Sequence, residues 1–302
     1  AQNYSYIKVA DKILANTDRS GFFGVSLSLI ANWLISKKNI FFRKILDKII
    51  GIDITATLPK FNAKQFKTIL SNYVSKIKFK KNYKEKILVF STCYVNYNDS
   101  KIGEALLKVL NKNNIYYEDA YIECCKMPQL EQGNIKSVKS VAEKTARLLK
   151  SKIDSGYKLV APIASCALMI KSHWPLICSE NNDVINLSKN TYDIDEFLWG
   201  LSKKGTLNKN FSSLNKNITL HTSCHSRAQN LGSKSAQLLN MLPGEKIINI
   251  EKCSGHGGTW GIKTKWNKTA RKVGQITAKK IFREEGNIIA STCPLAGLHL
   301  ND

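Results

Sequence analysis

Residues 86–93 read KILVFSTC and residues 217–224 read NITLHTSC. Each is a short β-type run that stops at two small hydroxyl residues and a cysteine. Outward from 86–93 the pattern alternates. A helix-like SKIGEALLKVLNKN (100–113) comes first, then a run around AYIE (120–123). A helix-like VKSVAEKTARLLKSKI (138–153) follows, and then KLVAPIAS (158–165). Outward from 217–224 the same order recurs as SKSAQLLNML (233–242), IINIEK (247–252), KTARKVGQITAKKIF (268–282) and NIIASTC (287–293). Strands alternating with helices predict parallel pairing, and recurrence at an offset of about 130 residues predicts two copies of one unit. The expected fold class is therefore α/β. Two repeated cysteine-rich α/β domains with largely parallel sheets (85–205 and 206–302) follow a helical N-terminal segment (1–84).

The cysteines follow the repeat. Cys93 and Cys224 end the first strand of each copy. Cys124 with Cys125, and Cys253, follow the next strand, and Cys166 and Cys293 the last. The intervals are 31 and 29 residues, then 42 and 40. Only Cys178 has no counterpart. Parallel strands bring their C-terminal ends to one edge, so three strand-end loops surround one point. Soft thiolates there favour zinc or an iron–sulfur cluster over hard cations. Two adjacent cysteines cannot easily hold one small tetrahedral ion but can reach two irons, so Cys93, Cys124, Cys125 and Cys166 favour a cluster. In the second copy IEKCSGHGGTWG (250–261) supplies one cysteine, Cys253, beside Cys224 and Cys293. Candidates for a fourth ligand are His256, His225, Ser254 or a substrate, and zinc or a cluster suits such a set. The glycines of this loop follow a later strand, without an acidic residue placed for a ribose. They do not form a dinucleotide fingerprint.

The chain has 302 residues, 43% hydrophobic and 23% charged, with a formal charge of +23. Lysine is scattered rather than interleaved with aromatics, so no nucleic-acid partner is expected. No secretory signal is visible, and eight cysteines without one point to a reducing compartment. The apolar stretch 21–36 is too short to span a bilayer. Within the helical segment IFFRKILDKII (40–50) is amphipathic, with Phe41, Phe42, Ile45, Leu46, Ile49 and Ile50 on one half of the wheel. Arg43, Lys44, Asp47 and Lys48 take the other. Its apolar half is expected to pack on its own domain. The alternative is a basic helix in a membrane interface, anchored nearby by Trp33, Phe22 and Phe23.

STCYVNYND, IGEALLKVLNKNNI and ECCKMP together resemble the cysteine-rich domain family with the CCG motif. Its duplicated form occurs in an iron–sulfur subunit of anaerobic glycerol-3-phosphate dehydrogenase and in heterodisulfide reductase-related iron–sulfur proteins. Departures are visible: CCG reads CCK at 124–126 and CSG at 253–255. The third position reads CALM and CPLA, with one cysteine each. The ferredoxin-like domain with which relatives generally begin is not seen, so an N-terminal truncation is expected. The resemblance implies a [4Fe-4S] cluster at the first site and a cluster or zinc at the second. It implies an electron-transfer subunit of an oxidoreductase complex, not the substrate-oxidising subunit. Electrons would come from a flavin-containing dehydrogenase subunit acting on glycerol 3-phosphate or a similar hydroxy compound. They would pass toward quinone, with the chain cytoplasmic and peripheral on the inner face of the cell membrane. Alternatives are a heterodisulfide or thiol reductase-type subunit, and a zinc-stabilised binding module.

Overall fold

The computed structural model describes residues 9–76, 82–284 and 286–302, so the middle of the Lys-rich stretch 76–86 lies outside the described residues. The chain divides into two compact units. One joins the described residues up to Asn32 to Lys60–Phe197, and the other joins Trp33–Pro59 to Leu198–Asp302.

The first unit is built on four parallel strands, β1 (Lys86–Val89), β2 (Tyr116–Asp119), β3 (Lys158–Ala161) and β4 (Thr191–Asp193), in the order β2-β1-β3-β4. Ile87, Leu88 and Val89 of β1 and Leu159, Val160 and Ala161 of β3 are buried. Central parallel strands are covered on both faces, which is why KILV and KLVA read as unbroken apolar runs. The crossovers run through helices Ser100–Lys112 and Ile135–Asp154. Two elements differ from the sequence reading. The second strand lies at Tyr116–Asp119, four residues before AYIE, because the chain leaves the left-handed Asn114 (φ 53°) straight into pairing with β1. Residues 120–123 instead form the approach to the cysteine pair. The fourth strand, TYD, was not anticipated; three residues at a sheet edge carry too little pattern to register.

The N-terminal residues of this unit are helical, as expected. The helix Thr17–Ser26 lies tight against the helix Cys93–Tyr97, because a β-carbon on Gly21 would sit 2.4 Å from the Tyr97 ring. Only a glycine permits that approach, and the same helix carries Asp18, which accepts from the Cys124 amide.

The second unit repeats the plan with three parallel strands, β5 (Ile218–His221), β6 (Ile247–Ile250) and β7 (Ile288–Ser291), in the order β6-β5-β7. The short helix Lys234–Leu239 and the twenty-residue Thr264–Arg283 make the crossovers. This unit also contains the helix Ile40–Ile50, and here the expectation of apolar packing fails. Its buried residue is Arg43, 1% exposed, whereas Phe41 is 70% exposed and Ile40 and Ile49 are open to solvent. The reason is a cage of carbonyl groups. Arg43 donates from Nε to the Ile54 carbonyl (3.2 Å), from Nη1 to Ile35 (3.4 Å), and from Nη2 to Asp53 (2.5 Å) and Ala56 (2.7 Å). Burial lowers its pKa, opposed by Asp53, Asp302 and Asp47. A guanidinium is a planar fan of five N–H donors, which suits several converging acceptors. Among the described residues no helix is long and apolar enough to cross a membrane.

Candidate metal centres

In the first unit the strand ends bring four cysteines together. Cys93 opens the helix Cys93–Tyr97, turned off β1 by Thr92, whose φ of 68° bends the chain and whose hydroxyl caps Val95 N–H at 3.3 Å. Cys124 and Cys125 sit in the loop after β2, and Cys166 lies in the first turn of the helix Ala164–Leu168 after β3. The sulfurs meet as two pairs, Cys93 with Cys124 at 3.7 Å and Cys125 with Cys166 at 3.3 Å. Cys124, Cys125 and Cys166 are buried and Cys93 is half-buried. Hydrogen bonds with the Cys125 thiol first and then the Cys93 thiol hold the Cys124 pKa well below the ordinary thiol value. Cys93 is driven up by its hydrogen bond with Cys124 and then by burial, and Cys125 by its hydrogen bonds with Cys124 and then Cys166, followed by burial.

Residues far away in sequence also reach this site. The Lys126 amide donates to Cys124 Sγ at 3.4 Å. Asp18 accepts from the Cys124 amide at 2.7 Å and from the Tyr121 hydroxyl. Burial, and next the Cys124 charge, raise the Asp18 pKa. Lys126 reaches Glu123 at 3.0 Å and Asp18 at 3.7 Å. Burial alone would lower its pKa, but the bond to Glu123 and the two carboxylate charges outweigh that and raise it. The fully buried Trp174 donates its indole N–H to the Cys125 carbonyl at 3.1 Å. None of Asp18, Tyr121 or Trp174 was singled out from the sequence, since no local spacing ties them to the cysteines.

The second unit brings Cys224, Cys253 and Cys293 to the same edge of its own sheet, with Cys224 and Cys253 exposed and Cys293 half-buried. Polar bonds tie the three loops. His221 Nε2 donates to the Lys252 carbonyl at 2.8 Å, and its Nδ1 lies 2.9 Å from Ser291 Oγ. Thr292 Oγ1 accepts from the Ser223 amide at 2.9 Å and from the Ser226 hydroxyl at 2.8 Å. Burial lowers the His221 pKa. Sequence reasoning passed over His221 in favour of His225 and His256. His225 follows Cys224 at the start of the helix Cys224–Arg227. The ring of His256 lies 5.9 Å from that of His299, with its Nε2 buried and unpartnered. Burial, then the His299 charge, push its pKa down to about 4, so it is a neutral imidazole near neutral pH.

Backbone geometry fixes how the two copies correspond. Lys126 has φ 66° and Gly255 φ 78°, and each donates its amide to the sulfur two residues earlier, Cys124 and Cys253, at 3.4 Å. Cys253 therefore stands where Cys124 does, and Ser254 where Cys125 does. At the third position the sequence pairing of Cys166 with Cys293 does not hold. Strand β3 ends at Ala161 and its helix starts at Ala164; β7 ends at Ser291 and its helix starts at Pro294. Cys293 is an extended N-cap residue (φ −130°), as is Ile163 (φ −122°), so Ile163 is its counterpart and Ala296 is that of Cys166. The touching pair Cys125/Cys166 is thus replaced as a pair by Ser254/Ala296, while Cys93/Cys124 persists as Cys224/Cys253.

Four clustered soft donors, two of them adjacent in sequence, fit an iron–sulfur cluster. Among the described residues, no three or more His, Cys, Asp or Glu side chains are arranged to hold a single ion. The family model of the CCG cysteine-rich domain matches residues 87–171 and again 218–301. The chain belongs to this family. As a CCG protein it is similar to a subunit of the anaerobic glycerol-3-phosphate dehydrogenase of Escherichia coli, 25% identical over 288 residues. That match covers 93% of this chain and 70% of the other. It is also similar to a subunit of the dihydromethanophenazine:CoB–CoM heterodisulfide reductase of Methanosarcina acetivorans, 27% identical over 72% of this chain and 54% of that one. Lactate utilization protein A 1 of Bacillus mycoides is 27% identical over 59% of this chain and 74% of its own.

Proposed function

We propose that this CCG protein is an iron–sulfur electron-transfer subunit of an oxidoreductase complex. The observation that carries the reading is the closed set of four thiols, Cys93, Cys124, Cys125 and Cys166, at one sheet edge. These residues would hold a [4Fe-4S] cluster, which when bound takes up and gives back single electrons. The chain's own contribution is enclosure and charge. Asp18 accepts from the Cys124 amide, the Lys126 amide donates to the Cys124 sulfur, and the buried Trp174 donates to the Cys125 carbonyl. In the second repeat Cys224, Cys253 and Cys293, with His256 or His225 as fourth ligand, would hold a cluster or zinc.

The relatives named as dehydrogenase and reductase subunits support a partner subunit. The finer reading is a flavin-containing partner that oxidises glycerol 3-phosphate or a similar hydroxy compound, with quinone as acceptor. The finer reading also places the chain peripherally on the inner face of the cell membrane, and exposed apolar residues support contact with a membrane surface. Phe22, Phe23, Leu27, Leu29 and Ile30 are exposed in the first unit, as are Trp33, Ile40, Phe41 and Ile49 in the second. A second reading, a thiol or disulfide reductase-type subunit, is favoured by the exposure of Cys224 and Cys253, which leaves their sulfurs open to a sulfur-bearing substrate.

Anaerobic reconstitution with iron and sulfide, followed by iron and zinc quantification, tests the main reading. Iron bound at about four per chain or more supports it. A colourless protein that takes only zinc overturns it. Reduction of the bound iron by glycerol 3-phosphate with a flavoprotein partner, against reduction by a thiol, separates the two readings.

A further inference from the structure

Within that electron-transfer reading, we propose that Lys126 occupies the glycine position of the cysteine-pair loop for its charge. Its ammonium, held by Glu123 and Asp18, raises the reduction potential of the group bound by the first four cysteines.

The backbone at this position demands a left-handed residue. Gly255 meets the demand in the second repeat with φ 78°, and Lys126 meets it in the first with φ 66°. Both make the same amide bond to the cysteine two residues earlier, so the loop does not need a side chain to work. A non-glycine residue is strained there, and strain of this kind clusters where a side chain serves a purpose. The Lys126 side chain is only 13% exposed and lies 3.0 Å from Glu123 and 3.7 Å from Asp18.

Its carboxylate partners explain what it does. Asp18 arrives from the N-terminal helix and accepts from the Cys124 amide at 2.7 Å, which places a carboxylate beside one of the four cysteine ligands. Glu123 lies between Lys126 and Lys144, the latter at 2.9 Å. Arg19 lines the same opening but is exposed. Removing Lys126 leaves Asp18 and the thiolates without their nearest buried cation. An electron entering the site then meets a more negative field, and unscreened charge acts more strongly in a buried position. The second repeat, with Gly255, has no such cation at this point of the loop.

The test is an EPR-monitored redox titration of the anaerobically reconstituted full chain. Lys126→Gly and Lys126→Met should both move the first site's midpoint to lower potential, and Lys126→Arg should leave it near the starting value. Asp18→Asn combined with Lys126→Gly should bring the potential back toward wild type. Thermal unfolding of metal-free Lys126→Gly should occur at the same or a higher temperature, because backbone strain is relieved. An unchanged midpoint in the Gly and Met variants overturns the proposal, as does an equal shift in Lys126→Arg. A wild-type chain that assembles no cluster overturns the electron-transfer reading itself, and this proposal with it.

Discussion

At the scale of single residues, the polar groups in the interior hold the cysteine loops in place. His221 is the clearest case. It occupies the position of Phe90 in the first repeat, three residues before the cysteine, and replaces ring packing with bonds to the loops of Cys253 and Cys293. Because burial lowers its pKa below 6.5, the unfolded chain binds a proton more readily than the folded one. Its contribution to stability is complete above about pH 6.5 and is lost as pH falls from there. The metal-free chain should therefore lose thermal stability between pH 7 and pH 5 more steeply than the variant His221→Phe. Parallel pH profiles for the two would contradict this role. Neither His221 nor Arg43 was legible in the sequence, because a helical wheel or a strand pattern counts apolar spacing. The acceptors these residues satisfy come from other segments. Asp18 was hidden for the same reason, 106 residues from the amide it accepts.

At the scale of elements, the central strands were readable because each is buried on both faces and leaves an uninterrupted apolar run. Strand β2, with the mixed letters YYED, and the three-residue β4 were not. The cysteine register was half readable. Spacings of 42 and 40 residues suggested that Cys166 and Cys293 were equivalent, yet helix starts at Ala164 and Pro294 set them three positions apart. That offset makes a constructive prediction. Placing Ser254→Cys and Ala296→Cys in the second repeat restores both members of the pair found as Cys125/Cys166. In a background with Cys125→Ser, the double substitution should raise iron bound per chain after reconstitution, whereas either single substitution should do so less. Equal iron in all three would mean that the pair is not what the second repeat lacks.

For the whole molecule, duplication supplies two sheet edges, and only the first retains the buried thiol set. The N-terminal helices were legible as helices, and Phe22, Phe23 and Trp33 as an alternative interfacial anchor, but not as contributors to a site. Leu29 is 88% exposed and Phe23 65%, far beyond the ordinary scatter of surface hydrophobes. With a formal charge of +23, an anionic bilayer is the complementary surface. The chain should sediment with vesicles rich in anionic lipid and far less with neutral ones. Phe22→Ser, Phe23→Ser and Ile30→Ser together should weaken that binding at least tenfold, by the usual worth of about 0.8 kcal/mol per buried methylene group. Retention of full binding by the triple variant would remove these residues from the interface.

Whether Cys93, Cys124, Cys125 and Cys166 hold a cluster between them is decided by iron and sulfide content after anaerobic reconstitution, wild type against Cys125→Ser. The substitution should remove about four irons and four sulfides per chain and the EPR signal that accompanies them. Unchanged iron, sulfide and EPR in Cys125→Ser would contradict a cluster at these four cysteines.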